Sequence, residues 1–549
     1  MKNRHRIALA FALLLGCFSF SAWAQLPPLQ TTTPSADPLQ MTFYRQSVKR
    51  FIFSNNIPLS SLNPDEIVGL DLMHPLVGNS TTPCSYVVQN GVLEISSAAA
   101  PAESARYVGG ASPYAVYEAD VQSINSVAPI EVALDWAAPN DRAHLQVIAK
   151  YPAARDSIVL RLIKNGQTVR EQVLFTGPAP APPYKLRVQL GGINLAAFYT
   201  KNGQTTYLGR TQPEENFREV LDLRDRKMAL GSTFNILTRL PTSARVVLGG
   251  AASYLSAGVG QADIRLITHR DGAPFIDNSR LWFTFSARGL GIGDSAQGIM
   301  SFDPSTSDFR MEGIVAFDHG DGLLRNDYAS HLFYDDEAHV WRAWVCDFGG
   351  VAGREGRGAS GLIVAESAHD PRRGLSVMRA AVLSNIAGQH EDPCGFYDAD
   401  AKKWRLLTTD LNRFQARLFE SNNWDGPYTP IAGPVAHNST GTLIQKIGGK
   451  RYIFSGSSEN AIFVYSYPEL KELGKLKMDL PPFGPKGNAR VWPNVFALPV
   501  GYPARYMALM MDRPNFPGVA GANWSYGALY LYSAYTDDIT TPNYEFPAP

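Results

Sequence analysis

The part of the chain after Asp263 repeats one unit five times. Each copy is a short apolar strand, a polar turn and a second strand rich in aromatic residues. The copies read GAPFIDNSRLWFTFSA (272–287), YASHLFYDDEAHVWRAWVCD (328–347), DPCGFYDADAKKWRLLTTD (392–410), GTLIQKIGGKRYIFSGS (441–457) and WPNVFALPVGYPARYMALMMD (492–512). Their spacing of about 50 to 60 residues is typical of propeller blades built from four-stranded sheets. The repeat predicts a five-bladed β-propeller over residues 259–549. A plain sandwich with accidental similarity between its strands is the alternative.

Residues 41–258 carry a different pattern, a series of short runs in which apolar and polar residues alternate. Three Asn-Gly dipeptides between these runs supply the positive φ angles of two-residue hairpin turns: Asn90-Gly91, Asn165-Gly166 and Asn202-Gly203. The pattern predicts an antiparallel β-sandwich, so the whole chain is expected to be all-β. The order of the segments, which ends in the hairpin FYTKNGQTTYLGRT, resembles a laminin-G or concanavalin-like jelly roll. The resemblance implies either a sugar-binding module or one that only packs against its neighbour.

The first 24 residues predict an export signal. A positive segment (residues 2–6) precedes an apolar run (7–20), and Ala22-Trp23-Ala24 forms a small-x-small cleavage site. Residues 25–40, which are rich in proline and threonine, are expected to be a linker. The expected location is periplasmic or extracellular. The alternative takes Leu14-Leu15-Gly16-Cys17 as a lipobox, with a lipid anchor on Cys17.

Charge and cysteine content argue against several classes. The chain has 50 lysines and arginines against 50 aspartates and glutamates, so it lacks the basic excess that supplies affinity for nucleic acid. No stretch after the export signal has the roughly 20 apolar residues that span a bilayer. The sequence contains no CxxC pair and no Cys/His cluster, so it predicts no structural zinc site. Three cysteines follow the signal, Cys84, Cys346 and Cys394, and we expect a disulfide between the last two because both lie in the repeated region.

The first strand of each propeller blade lines the central channel, so the residues just before those strands meet at one mouth. In the five units these segments are THRD (268–271), RNDYASH (325–331), HED (390–392), HNST (437–440) and NARVW (488–492). Four of them contain histidine, and the first three contain carboxylates. The aspartates at 277, 335, 336, 398 and 400 fall between first and second strands and are expected to be ordinary turn residues.

Carboxylates from different blades at one mouth suit the hydrolysis of glycosidic bonds. One carboxylic acid protonates the leaving oxygen, and a carboxylate opposite activates water or attacks the anomeric carbon. A third group keeps the acid protonated through like charge, or orients it. The order of a carboxylate in blade one, another in blade two and a glutamate in blade three resembles the five-bladed propeller glycoside hydrolases of the arabinofuranosidase, xylosidase and invertase type, over about residues 260–537.

That resemblance implies three catalytic residues: Asp271 as general base, Glu391 as general acid and Asp327 as the aspartate that tunes the acid. In the family the tuning aspartate stands immediately before the strand, usually after a proline. Here AlaSerHis occupies that place, so His331 is the alternative to Asp327.

Further residues near the predicted mouth are candidate substrate ligands: Arg270, Arg325, His331, His390, His437, Arg490 and Trp492. Arginine binds hydroxyl or carboxylate groups, and tryptophan stacks on a sugar face. Structural roles compete with these assignments. The alternatives are that Asp271 caps a turn and that Asp327 pairs with Arg325. His437 as a hydrogen-bonded channel residue and Trp492 as packing between blades are two more.

The sequence as a whole predicts an exported glycoside hydrolase that acts on a plant or microbial polysaccharide or its side chains. Inversion is expected, with the working carboxyls roughly 6.5 to 9.5 Å apart, whereas about 5 to 5.5 Å indicates retention. No cofactor is expected, and a structural calcium ion in the channel is left open. The alternatives are a sialidase-like hydrolase with Arg270, Arg325 and Arg490 as a carboxylate clamp, a non-catalytic glycan-binding or adhesion protein, and a lyase that uses a metal and histidines.

Overall fold

The computed structural model of the 549-residue chain describes residues 36–61, 84–212, 215–349, 358, 360–482, 491–499, 501–520 and 524–536. These residues form a β-sandwich and a five-bladed β-propeller, the all-β architecture that the sequence predicts. The predicted export signal, Cys17, Arg490 and residues 25–35 of the predicted linker lie outside the described residues. Within the described ranges, no helix is both long and apolar enough to cross a bilayer.

The first fifteen strands include all those of the sandwich. They are β1 (Met41–Lys49), β2 (Ile57–Pro58), β3 (Ser85–Gln89), β4 (Val92–Ser96), β5 (Ala102–Gly110), β6 (Val116–Asn125), β7 (Ile130–Ala137), β8 (Ala143–Tyr151), β9 (Ile158–Lys164), β10 (Gln167–Phe175), β11 (Tyr184–Gly191), β12 (Asn194–Lys201), β13 (Gln204–Arg210), β14 (Thr233–Leu240) and β15 (Arg245–Leu255). A short helix, α1 (Arg226–Gly231), precedes β14, and 3₁₀ turns occur at Pro38–Gln40, Leu59–Ser61 and Ile292–Asp294.

Two antiparallel sheets pack face to face in the sandwich. One has the order β13-β12-β11-β6-β15-β4-β3, with β2 beside β15, and the other has the order β10-β9-β8-β7-β14-β5. Between them, the ring of Tyr117 meets the rings of Trp136 and Phe234 edge-on, at centroid distances of 5.0 and 4.7 Å. All three are fully buried, so this aromatic contact anchors the two sheets to each other.

The three predicted hairpin turns are confirmed. The φ angles are 53° and 75° at Asn90-Gly91, 53° and 75° at Asn165-Gly166, and 52° and 76° at Asn202-Gly203. Positive values at both positions define the tight turn whose twist matches that of the flanking strands. The turns join β3 to β4, β9 to β10 and β12 to β13.

The remaining strands belong to the propeller. They are β16 (Gln261–Leu266), β17 (Thr268–His269), β18 (Ile276–Asp277), β19 (Arg280–Ala287), β20 (Ala296–Asp303), β21 (Asp308–Asp318), β22 (Tyr328–Asp335), β23 (Val340–Cys346), β24 (Leu362–Ser367), β25 (Gly374–Val382), β26 (His390–Asp398), β27 (Lys403–Asp410), β28 (Gln415–Ser421), β29 (Thr429–Ala432), β30 (Thr440–Ile447), β31 (Lys450–Ser457), β32 (Ala461–Ser466), β33 (Glu472–Lys475), β34 (Lys477–Met478), β35 (Val495–Ala497), β36 (Tyr506–Met511) and β37 (Leu529–Thr536).

Each blade is a four-stranded antiparallel unit whose first strand lies innermost. Blade one is β16-β19-β20-β21, blade two β22-β23-β24-β25, blade three β26-β27-β28-β29 and blade four β30-β31-β32-β33. In chain order, β17 and β18 lie between the first two strands of blade one: β18 pairs with β19, and β17 pairs in parallel with β22 of blade two. The outer strands of blades one and two, β21 and β25, pair in parallel and join the two blades into one sheet.

Blade five is completed by the N-terminal strand. Its order is β35-β36-β37-β1, and β1 runs antiparallel to β37 from the Met41–Thr536 pair to the Lys49–Leu529 pair. Met41 and Phe43 are 1% exposed, so the strand is a packed part of the ring. The boundary predicted at residue 41 therefore differs from the structure, because β1 belongs to the propeller sheet and not to the sandwich.

The expected disulfide is a second correction. Cys346 and Cys394 are both buried, and no disulfide joins them. The backbone amide of Asp392 donates to Cys346 Sγ at 3.3 Å, and that of Ile444 donates to Cys394 Sγ at 3.4 Å. Each sulfur thus accepts a hydrogen bond from the inner strand of the next blade.

Candidate active site

The inner strands of blades one to four begin with the same backbone irregularity. In each, the pairing with the second strand shifts within the first residues of the strand. One residue of each shift has a left-handed backbone, with φ of 51° at Asp263, 58° at Ala329, 55° at Asp392 and 59° at Gly441. Bulges of this kind at the rim of a sheet redirect side chains. Asp263 and Asp392 lie within two of these bulges, and Glu391 immediately precedes the second of them. With Asp327, which directly precedes β22, they are the carboxylates at the starts of three inner strands, at the mouth of the channel that is here called the funnel.

Asp263 is the blade-one carboxylate of the funnel. It lies in β16, is partly exposed, and its Oδ2 accepts a hydrogen bond from Ser286 Oγ at 2.6 Å. The negative charge of Asp263 raises the pKa of Asp392, to which burial makes the largest contribution. The first strand of blade one thus contributes its acid at the same level as blade three.

Asp271, the predicted general base, lies elsewhere. β17 pairs with the far end of β22, at Phe333 and Tyr334, whereas the funnel is at Tyr328; six strand residues span about 20 Å. Asp271 is exposed and its Oδ1 accepts a hydrogen bond from the amide of Ala273 at 2.9 Å, as turn aspartates do. The sequence prediction took the segment after residue 271 as the inner strand, whereas β16 fills that position.

Glu391 faces the funnel from blade three. It is partly exposed and pairs with Thr409 of β27 immediately before the bulge. Burial raises the pKa of the Tyr328 hydroxyl, Arg288 opposes this, and the charges of Asp263 and Glu391 add to the rise. Carboxylates from blades one and three therefore both lie within electrostatic reach of one tyrosine in blade two.

Asp392 is a structural neighbour of Glu391. It is buried, and its Oδ2 accepts hydrogen bonds from Thr440 Oγ1 at 3.0 Å and from the amide of Gly441 at 2.8 Å. Its backbone carbonyl accepts a third from Thr442 Oγ1 at 2.9 Å. These contacts fasten the start of β26 to the start of β30, which fixes the backbone that carries Glu391.

Asp327 precedes β22, as predicted, and is fully buried. Its Oδ1 accepts a hydrogen bond from the amide of Gly349 at 2.6 Å, and its Oδ2 lies 3.2 Å from His319 Nε2. Burial raises the pKa of Asp327, contact with His319 lowers it, and the charge of Asp347 raises it further. Asp327 is therefore a buried carboxyl held by Gly349 and His319, and its side chain is closed to a substrate.

Arg265 fills the channel below the funnel. Its guanidinium is buried at 1% exposure and lies 5.2 Å from the ring centre of Trp492. Neither Nη atom has a hydrogen-bond partner among the described residues. A guanidinium repels nearby cations, and the described residues contain no group of three His, Cys, Asp or Glu side chains that could hold a metal ion.

Two predicted histidine ligands are buried links between strands. His331 Nδ1 accepts a hydrogen bond from the amide of Gly395 at 3.0 Å, so its proton is on Nε2, 3.1 Å from Thr268 Oγ1. Burial lowers the pKa of His331 to about 3, and Arg265 adds to the effect. His390 is also fully buried, and its Nε2 lies 2.8 Å from the carbonyl oxygen of Ala387. Neither side chain is open to a substrate.

His437 and Trp492 also have structural roles. His437 stacks on Phe463 at 3.7 Å and pairs with Glu459 at 2.6 Å and with Glu472, in the outer strand of blade four, at 3.2 Å. Trp492 is 2% exposed, and its Nε1 donates to the carbonyl of Ile264 at 2.5 Å. Packing between blades, the alternative for Trp492, is the role that the structure shows.

The predicted arginine clamp does not assemble. Arg325 binds both oxygens of Asp321, at 2.8 and 2.6 Å, and this also replaces the alternative in which it pairs with Asp327. Arg270 pairs with Asp335 and Glu337 at the far end of β22. Arg490 lies outside the described residues. Arg270 and Arg325 therefore lie near opposite ends of β22. They cannot bind one carboxylate together, so they do not form the clamp expected for an acidic sugar.

Sequence reasoning missed several residues of the funnel: Asp263, Asp392, Arg265, Arg288, Tyr328 and His319. A signal for Asp263 was present, because it directly precedes the apolar segment IRLI near the start of an inner strand, much as Glu391 lies near the start of the third inner strand. The others depend on which side chains meet in space. The funnel thus offers two partly exposed carboxylates, Asp263 and Glu391, next to the buried Asp327 and Asp392.

No protein-family model matches this chain, and no curated protein matches its sequence. Solved structures with a detectable likeness include an exo-β-1,3-galactanase from Clostridium thermocellum, at 12% identity and a TM-score of 0.32. That match covers 49% of this chain and 62% of the galactanase chain, which is less than two thirds of it.

Two further likenesses are of the same order. The catalytic domain of a GH62 α-L-arabinofuranosidase from Coprinopsis cinerea is 10% identical, with a TM-score of 0.34 and coverage of 50% of this chain and 91% of that chain. A GH43_1 enzyme from Xanthomonas citri, complexed with xylose, is 11% identical, with a TM-score of 0.35 and coverage of 52% and 91%. Likeness at these identities concerns the fold alone.

Proposed function

We propose that the protein is an exported glycoside hydrolase that cleaves a plant or microbial polysaccharide, or its side chains, at the funnel. The observation that supports this is the position of Asp263 in the bulge that begins the inner strand of blade one and of Glu391 at the bulge that begins the inner strand of blade three, from which both charges act on Tyr328 of blade two. Two carboxyl groups at one open mouth are the minimum that acid and base catalysis of glycoside hydrolysis requires.

Glu391 is the general acid in this proposal. Its side chain is partly exposed, while the backbone around it is fixed by the hydrogen bonds of Asp392 to Thr440 and Gly441. Glu391 donates its proton to the glycosidic oxygen as the bond from that oxygen to the anomeric carbon breaks. The leaving sugar therefore departs as a neutral alcohol.

Asp263 is the general base, in place of Asp271. Ser286 holds its Oδ2, and no described residue donates a hydrogen bond to its Oδ1, which leaves that oxygen for a water molecule. Asp263 removes a proton from this water as the water oxygen bonds to the anomeric carbon. One proton leaves Glu391 and one reaches Asp263, so the pair is reset by exchange with solvent.

Inversion is the stereochemical outcome that we propose. The two carboxyls come from blades that are separated by the inner strand of blade two, an arrangement that leaves room for water between base and sugar. The expected separation is roughly 6.5 to 9.5 Å. Proton NMR of the first product formed distinguishes inversion from retention.

Hydrolysis of a panel of polysaccharides and 4-nitrophenyl glycosides by the mature protein tests the proposal, with Glu391→Gln as the matched variant. Release of sugar by the wild type and its loss in a folded Glu391→Gln protein support the assignment. If the wild type binds a glycan but releases no sugar, the protein is a glycan-binding module. N-terminal sequencing of the secreted protein tests export, for which cleavage before Gln25 is expected.

A further inference from the structure

A second cleft opens on the face of the propeller opposite the funnel, between blades two and three. We call it the Trp424 cleft; its lining includes Arg270, Asp335, Arg342, Trp404, Asn423 and Trp424, and its volume is about 380 Å³. Asp335 ends β22, whereas Asp327 precedes that strand. Asp335 lies eight positions further along the strand, or roughly 26 Å away, so the cleft and the funnel cannot be one site.

The floor of the Trp424 cleft is held rigid by two arginines. The guanidinium of Arg270 lies 4.0 Å from the ring centre of Tyr397 and 5.3 Å from that of Trp404. The guanidinium of Arg342 lies 4.8 Å from the ring centre of Trp424. Buried Asp335 sits between them, accepting a hydrogen bond from Arg342 Nη1 and lying 3.7 Å from Arg270 Nε. Stacked, paired guanidinium groups lose little freedom when a ligand binds.

The charges of the cleft favour a neutral ligand. Both arginines are already paired, Arg270 also with Glu337 and Arg342 also with Glu366 at 2.8 Å. The lining also contains the carboxylate of Asp425, so it has no excess of positive charge to bind an acidic group. The same carboxylates and guanidinium N–H groups offer both acceptors and donors at fixed positions. A hydroxyl-rich ligand uses both, since each hydroxyl donates one hydrogen bond and accepts others.

Shape and aromatic content point in the same direction. The volume falls in the range of roughly 300 to 1,000 Å³ that small-ligand sites occupy. Trp424 is partly exposed, and the exposed Asn422 and Asn423 stand beside it. Indole rings pack against the C–H faces of sugars, while side-chain amides bind their hydroxyls.

We propose that the Trp424 cleft binds an uncharged segment of the polysaccharide on which the funnel acts, and so holds the polymer on the enzyme. This rests on the proposed function for the identity of the polymer. It gives Arg270, which lies far from the catalytic residues, a place in substrate binding at a second site. A monosaccharide glycoside is too short to engage both sites.

Affinity electrophoresis through gels that contain arabinoxylan, arabinan or β-1,3-galactan tests the proposal, with Glu391→Gln as the parent so that hydrolysis does not intervene. We expect at least one polymer to retard the parent protein. In Glu391→Gln/Trp424→Ala the dissociation constant should be about tenfold larger, which is the effect of losing one aromatic contact. Asn423→Ala is a second variant with little risk to folding, because the side chain is exposed. Tyr44→Ala, an aromatic residue 55% exposed on blade five, is the control and is expected to keep the parent's affinity.

The backbone around Trp424 survives truncation of its side chain, because the carbonyl of Trp424 accepts hydrogen bonds from Trp344 Nε1 at 3.1 Å and from the Tyr428 hydroxyl at 2.6 Å. Equal retardation of the Trp424→Ala and Asn423→Ala variants and their parent overturns the cleft, as does retardation by none of the three polymers. Loss of the cleft leaves Glu391-dependent hydrolysis of aryl glycosides intact. Failure of the proposed function instead shows as binding that depends on Trp424 without any hydrolysis.

Discussion

The hydroxyl of Tyr114, in the sandwich, donates a hydrogen bond to the backbone carbonyl of Leu324, in the propeller loop that leads to Asp327. Two more hydrogen bonds join the same propeller loop to the segment before β14: the amide of Leu324 donates to the carbonyl of Arg224 at 2.8 Å, and the amide of Arg226 donates to the carbonyl of Gly322 at 3.2 Å. The loop also carries His319, which contacts Asp327. The sandwich therefore holds the loop that supports the funnel.

Tyr114→Phe is expected to weaken this support. Leaving the buried carbonyl of Leu324 without its donor lowers the free energy of unfolding by about 1 to 3 kcal/mol, and the shifted loop lowers kcat more than it changes KM. Urea denaturation and steady-state kinetics measure the two effects. Tyr254→Phe, which removes a hydrogen bond to Glu118 at 3.0 Å inside the sandwich, is the control: it should lose stability and keep kcat. Equal kcat in the two variants contradicts a role for the loop.

Asp263→Asn and Asp271→Asn separate the two candidates for the general base. Asp263 lies at the funnel and Asp271 on an exposed turn, so the first substitution should lower kcat by about 10² to 10⁴-fold, the usual contribution of a general base. The second should leave kcat within about twofold, because the substitution touches only a turn. Steady-state kinetics on an aryl glycoside measure both. Full activity in Asp263→Asn removes this residue from the mechanism.

The buried neutral imidazole of His331 predicts a loss of stability in acid. Its folded-state pKa is lowered to about 3, whereas an unfolded histidine titrates near 6.5. Between these pH values the unfolded chain binds the extra proton. The free energy of unfolding therefore decreases as the pH is lowered, by up to about 1.4 kcal/mol per pH unit. His331→Gln keeps an acceptor for Gly395 and a donor for Thr268 without the titration. Unfolding free energies from pH 6.5 to 4 should therefore fall less steeply in the variant, and parallel curves contradict the assignment.

Strand β1 should be necessary for the ring. A chain that starts at Phe51 lacks the fourth strand of blade five and leaves β37 as an open edge, which promotes aggregation. It also loses the burial of Met41 and Phe43, each worth about 1.5 to 3 kcal/mol. We expect a lower Tm and self-association in gel filtration, while a chain that starts at Ala36 stays monodisperse. Equal behaviour of the two chains means that β1 contributes nothing to the ring.

Local chemistry in the sequence predicted the local parts of the fold. Positive φ at Asn-Gly is a property of two adjacent residues, so the hairpin turns were readable. The pairing of β1 with β37 joins residues almost 500 positions apart, with no local pattern to show it. In blade one, the segment that contains β17 and β18 resembles an inner strand and its turn, so the sequence pattern predicts the wrong inner strand. The roles of His331 and His437 could not be predicted from the sequence, because the groups around each imidazole decide what it binds. For His331 this is the amide of Gly395, and for His437 it is a pair of glutamates.

The position of β1 also makes the sandwich an insert within the propeller. The chain leaves the ring after Arg50 and returns at Gln261, whose side-chain amide accepts a hydrogen bond from the amide of Phe51 at 3.0 Å and donates one to its carbonyl at 2.7 Å. No single cut in the chain can separate the two modules. Because the points of exit and return touch, however, a short bridge between them can replace everything from β2 to β15, as at other sites that tolerate domain insertion. A ring bridged in this way keeps its closing strand and loses the contact at Leu324.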